Sequence, residues 1–159
     1  MDANTGQIVA TALTTPDVDD GSQAGPVLDQ VEGPVASFTG DGAYDQDGVY
    51  ASVGARHPAA EVIVPPRATA VPSPTAESAP TPRDRHLQLI AEKGRMEWQT
   101  ASGYTKRARA EAAIARWKQV IGDRLRAHTD EGQATEVDVA AHVLNRMLDL
   151  GRPNYVRLA

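Results

Sequence analysis

Cysteine is absent from all 159 residues, which rules out disulfides, thiolate-held metals and a cysteine nucleophile, and fits a reducing compartment. Aromatic residues are scarce at 4%, so Ala, Val, Leu and Ile have to fill any interior, and the core is expected to be modest. Lysine is nearly missing as well: 13 of the 16 basic residues are Arg, which suits planar contacts to phosphate and equally suits a GC-rich gene. No apolar run comes near the roughly 20 residues needed to span a bilayer, and the first residues lack the basic and apolar stretches of a signal peptide. A soluble, cytoplasmic protein with no membrane contact is the expectation, and the length suits one domain covering 1–159.

Charge is distributed unevenly. Net charge is −5, yet residues 1–60 hold nine acids against Arg56 alone, while 95–126 hold Arg95, Lys106, Arg107, Arg109, Arg116, Lys118, Arg124 and Arg126 against Glu97, Glu111 and Asp123. That basic stretch is a candidate phosphate-facing segment, the alternative being an ordinary solvated helix surface.

Patterning supplies a mixed α/β reading. Gly6–Leu13 is rich in strand formers, Ser22–Val31 has helical spacing, and Val35–Thr39 is a short extended run stopped by Gly40-Asp41-Gly42. Asp41 is therefore expected at a strand's C-terminal end, the edge where open α/β sheets bind ligands. Asp47–Ala55 reads as a helix and Glu61–Val64 as a strand ended by Pro65-Pro66. The segment 65–83, with Pro65, Pro66, Pro72, Pro74, Pro80 and Pro82, reads as an extended loop. Helices are expected over Asp84–Lys93, over Lys106–Ala127, and over Glu136–Leu150 with Val137, Ala140, Ala141, Leu144, Met147 and Leu148 on one face. Gly151 and Pro153 mark the end of the last.

Within 106–127, a spacing of 100° per residue puts Arg107, Glu111, Ile114, Lys118, Ile121 and Leu125 within about 40° of one line. Three charged side chains thus share an apolar stripe, as they would if they faced a site rather than solvent. Lys118 lies about 10 Å along the axis from Glu111, a span that suits neighbouring phosphates. Pattern alone also permits a plain i, i+4 ion pair between Arg107 and Glu111.

The spacing of Tyr104, Arg107, Glu111 and Lys118 resembles the Tyr-Arg-Glu-Lys signature of insertion-sequence DDE transposases. Gly40-Asp41-Gly42-Ala43-Tyr44-Asp45 resembles the segment around their second catalytic Asp. Gly94-Arg95-Met96-Glu97-Trp98-Gln99 and the tail from Leu144 to Pro153 are similar to theirs as well, so the likeness runs over essentially the whole chain. It implies a ribonuclease H-like fold, a mixed sheet flanked by helices. It further implies that Asp41 and Glu111 are catalytic carboxylates ligating two Mg²⁺ or Mn²⁺ ions, with Arg107 and Lys118 clamping phosphates and Tyr104 contacting the DNA backbone.

The family's first Asp has no counterpart here. Asp2 is the only acid ahead of the Gly6–Leu13 strand, and with Met1 alone before it no central strand can hold it, so the resemblance places the missing Asp upstream. The expectation is a C-terminal part of a transposase catalytic domain, incomplete at its N-terminal strands, inactive alone and marginal in stability because strand edges stand unpaired. Rival readings are a regulator that binds DNA or transposase subunits without catalysis, and a decayed gene product. Asp45 and Asp47 read as surface turn acids, Trp98 as a packing residue with base stacking as the alternative, and His57, His86, His128 and His142 as surface or structural.

Overall fold

A computed structural model describes residues 1–151. The chain divides into two compact units, one running Thr14–Ala108 and the other combining Met1–Leu13 with the chain from Arg109 onward.

In the Thr14–Ala108 unit, helix α1 (Ala24–Leu28), strand β1 (Ser37–Thr39), helix α2 (Asp47–Arg56) and strand β2 (Glu61–Ile63) build the main core. The strands pair in parallel with Phe38 opposite Val62, and α2 is the crossover that a parallel pair requires. Gly40 N–H and Glu61 N–H extend the ladder to the carbonyls of Ile63 and Ala36. Val49 and Val53, four apart on α2, turn inward onto Val62, Val64, Ala24 and Leu28. Each large aliphatic buried here contributes about 1.5–3 kcal/mol. Arg56 closes α2 onto the end of α1 through a two-point ion pair with Asp29, at 2.6 and 2.9 Å.

After β2 the proline-rich stretch is irregular, as its composition predicts, until Pro82 opens α3 (Pro82–Lys93) at its first turn. Thr81 caps that helix in a reciprocal box with Asp84. Asp84 also accepts from the Ser73 N–H and hydroxyl, which ties the loop to the helix start, and these donors hold its carboxyl well below the usual carboxylate range. Gly94 then breaks the chain into α4 (Arg95–Ala101), a helix that the sequence pattern did not reveal. A turn of 3-10 helix over Tyr104–Arg107 follows.

The other unit contains α5 (Ala108–Val120, all but its first residue) and α6 (Asp130–Leu150). Thr129 caps α6, so the last helix starts six residues earlier than expected, and Gly151 at φ 73° ends it. Val137, Ala140, Ala141, Leu144 and Leu148 lie on its covered face as expected, whereas Met147 is exposed. The long helix expected over Lys106–Ala127 is instead shorter: it ends at Val120, and Gly122 adopts φ 109°. The chain between the helices folds back on α6, where the Glu136 carboxylate accepts the N–H groups of Arg126 and Ala127.

Gly6–Leu13 is extended but is not a strand, which corrects the sequence reading. Side chains of α6 hold it: Asn145 accepts the Ile8 N–H and donates to the Ile8 carbonyl, both at 2.8 Å, while the Gln7 and Thr11 side chains donate to the carboxylates of Asp149 and Asp138. Ser22–Val31 is likewise helical only in part, as a 3-10 turn and the short α1, and Val35–Thr39 forms a strand only from Ser37. Mostly helical, with one two-stranded parallel sheet among the described residues, the protein is of mixed α/β class. No described helix is long and apolar enough to cross a membrane. Pro153 and Arg152 of the tail motif lie outside the described residues.

Candidate active site

Asp41 stands where the pattern put it, just past the C-terminal end of β1, at the cap of a 3-10 turn over Gly42–Tyr44. One carboxylate oxygen accepts the Ala43 N–H at 2.9 Å, and the other meets Arg107 Nη2 at 3.2 Å. The two side chains are 45% and 29% exposed. Such a pair adds only about 0–1 kcal/mol, so its importance lies in what it joins, two residues 66 apart in the chain.

Arg107 reaches Asp41 because of the aromatic residues before it. Trp98 on α4 is fully buried, with its ring centroid 5.5 Å from that of His86 on α3 and 5.2 Å from that of Tyr104. Gly103 at φ 72°, a left-handed conformation that costs glycine little, turns the chain out of α4 and lays Tyr104 against the indole. Arg107 follows at the end of the same turn. Trp98 therefore packs rather than offering a face to a base, and His86 is structural, its pKa lowered by burial.

Glu111 and Lys118 belong to α5 in the other unit. Both are exposed, and Ile114 between them is 59% exposed, so the line they share is not the buried face of the helix. The covered side is centred on Ala110, Ala113 and Trp117, which with Ile8, Ala10 and the exposed edge residue Ile114 line a pocket of about 260 Å³. Alanine at five positions between 108 and 115 leaves the apolar face ambiguous in sequence, and a stripe drawn through the isoleucines runs along the edge of the covered side rather than its centre. Charged residues on that line therefore need no special reason to be there.

The basic stretch is also not uniformly turned to solvent. Arg95 donates to the Pro66 carbonyl, Arg107 to Asp41, Arg109 to the carbonyls of Ala3 and Asn4, and Arg116 to that of Gly6. Lys106, Lys118, Arg124 and Arg126 are exposed.

Asp45, expected on the surface, is buried at 5% exposure, whereas Asp47 is exposed in the first turn of α2. Arg83 from α3 grips Asp45 at two points, Nε to Oδ1 at 2.7 Å and Nη2 to Oδ2 at 3.0 Å, and the Arg67 N–H adds a third bond at 2.9 Å. Burial pushes against the charged form, but these donors outweigh it and lower the carboxyl pKa. The guanidinium of Arg67 turns back onto the carbonyls of Gly42 and Ala43, at 3.3 Å each. No spacing rule links positions 45, 67 and 83, so nothing in the sequence pattern marked them.

As a metal ligand Asp41 fits in chemistry and exposure: it is a hard oxygen donor, and among the described residues each oxygen accepts one hydrogen bond, which leaves lone pairs for a cation. The guanidinium beside it opposes a cation by charge. No group of three or more His, Asp or Glu residues able to hold a metal is gathered among the described residues.

These features define a mixed α/β protein with an acidic group at a strand edge, braced by an arginine from a helical segment nearly seventy residues further on. Residues 1–146 match the family model described as the transposase DDE domain, and the chain belongs to that family, as its motifs implied. Use of divalent metal ions and action on DNA are general to the family. No solved structure matches the chain.

Proposed function

We propose that this chain is the part of an insertion-sequence DDE transposase that carries the second and third catalytic carboxylates, Asp41 and Glu111, within a ribonuclease H-like domain. The single observation that supports this most is the Arg107–Asp41 contact, which joins the Gly-Asp-Gly segment to the Tyr104–Arg107 half of the signature within one unit. In this reading Asp41 and Glu111 are metal ligands for Mg²⁺ or Mn²⁺, which when bound supply activation of the attacking oxygen and stabilisation of the leaving one. Arg107 and Lys118 hold the phosphates of the DNA, and Tyr104, backed by Trp98, contacts the sugar-phosphate backbone. The parent activity is DNA cleavage and strand transfer in the cytoplasm, with other transposase subunits as partners. No residue of the chain matches the family's first Asp, so the chain by itself binds metal weakly and does not cleave DNA.

Mn²⁺ titration followed by amide NMR tests the ligand assignment. At about millimolar Mn²⁺, a range set by an incomplete oxygen shell, amides at 40–43 and around 111 are expected to broaden. Asp41→Asn is expected to remove the first effect and Glu111→Gln the second. Broadening that survives both substitutions, or none in the native protein, overturns the assignment.

A second reading, non-catalytic DNA binding, draws on the exposed Lys106, Lys118, Arg124 and Arg126. Gel shifts with the element's terminal repeats at several salt concentrations decide it, because phosphate contacts weaken steeply as salt rises.

A further inference from the structure

Asp45 is a charge where an apolar residue would serve the core as well. Buried ion pairs are poor stabilisers compared with well-packed hydrophobic side chains, and the best-attested reason to keep one is that it fixes geometry. What this one fixes is a single turn. Asp41 caps the 3-10 turn Gly42–Tyr44 at its start and Asp45 follows at its end, so a rotation at one end is felt at the other. Both carboxylate oxygens at the Asp45 end are bonded by groups brought from a distance, Arg83 from 38 residues away and the Arg67 N–H from 22. Arg67 then binds the middle of the turn through the Gly42 and Ala43 carbonyls. Tyr44 packs over Gly40 so closely that a Cβ there would come within 2.9 Å of its ring, and stands edge-on to Phe38 at 5.7 Å, which anchors the turn to β1.

We infer that Asp45 and Arg67 are positioning residues for Asp41: the buried Asp45–Arg83 pair and the Arg67 guanidinium hold the Gly42–Tyr44 turn so that the Asp41 carboxylate is presented in one orientation at the end of β1. The inference rests on the reading of Asp41 as a metal ligand, but the rigidity it claims is present in the metal-free protein and is measured there.

Asp45→Asn keeps the shape and acceptors for part of the network while removing the charge. Arg67→Ala leaves the residue 67 N–H on Asp45 and the buried pair in place, and removes only the grip on the turn, so it is expected to fold even if the first variant does not. In metal-free protein, amide exchange at Ala43, whose N–H is bound by Asp41, is expected to rise about ten-fold in each folded variant, while exchange at the Val53 amide in α2 stays at its native rate. A merely structural role would raise both together. Mn²⁺ at half-broadening of the 40–43 amides is expected to rise by about ten-fold too, the size of effect that loss of a ligand's supporting contacts has on metal affinity. Native exchange at Ala43 in Arg67→Ala, and in Asp45→Asn if that variant folds, overturns the inference. Absence of Mn²⁺ broadening in the native protein overturns the metal-ligand reading instead, and the exchange comparison still decides this one.

Discussion

Removing Arg83 gives the sharpest test of how the Thr14–Ala108 unit is held together. The Asp45 side chain is fully covered and that of Arg83 is 25% exposed, so Arg83→Ala strands a carboxylate that keeps only the Arg67 N–H. Breaking a fully buried pair costs about 3–5 kcal/mol, and the partial exposure of Arg83 brings the expected loss to about 2–4 kcal/mol. The loss should also depend on pH. In the native protein the lowered Asp45 pKa means that the pair's stabilisation is complete above the unfolded carboxyl value, about 3.9, and is lost as pH falls through the folded value. In the variant, burial without the counter-charge drives the carboxyl the other way, so it takes up a proton at higher pH and sheds its penalty. The difference between the two proteins is therefore expected to be largest near neutral pH and to shrink as the solution is acidified towards about pH 3. Urea unfolding followed by Trp98 fluorescence, in a Trp117→Phe background so that the signal comes from this unit alone, measures it. A loss below about 0.5 kcal/mol at neutral pH, or one that grows on acidification, refutes the argument.

Two other substitutions probe the remaining supports. Trp98→Ala is expected to cost about 3–5 kcal/mol, and Trp98→Phe about half as much, because the indole Nε1 has no hydrogen-bond partner among the described residues to lose; equal losses in thermal or urea unfolding would show that a hidden polar contact matters. Asn145→Ala leaves both Ile8 backbone groups without their α6 partner and is expected to cost about 1–3 kcal/mol, with faster exchange of the Ile8 amide by hydrogen-exchange mass spectrometry or NMR. Native exchange at Ile8 would mean that the segment is held by something other than Asn145.

Much about this protein was already determined by its amino-acid sequence, wherever the controlling physics is local. Gly40-Asp41-Gly42 stops a strand because those residues favour turns, so the position of Asp41 followed from a few neighbours. The end of α6 at Gly151, and most of its covered face, followed from helical periodicity and a glycine that tolerates positive φ. Family membership was legible because four side chains at fixed offsets survive in one stretch of chain. Tertiary structure decided whatever depends on partners distant in sequence. Gly6–Leu13 has the composition of a strand, but the Ile8 backbone bonds the Asn145 side chain, Gln7 pairs with Asp149, and no sheet forms there. Ile114 has the side chain of a core residue, yet the cover over α5 centres on Ala110, Ala113 and Trp117, and Ile114 is left exposed at the edge of their pocket. Asp45 looks like a turn residue until two arginines arrive to make its burial tolerable. Periodicity reports which side chains share a face, but only packing decides which face is covered and which charges find a partner there.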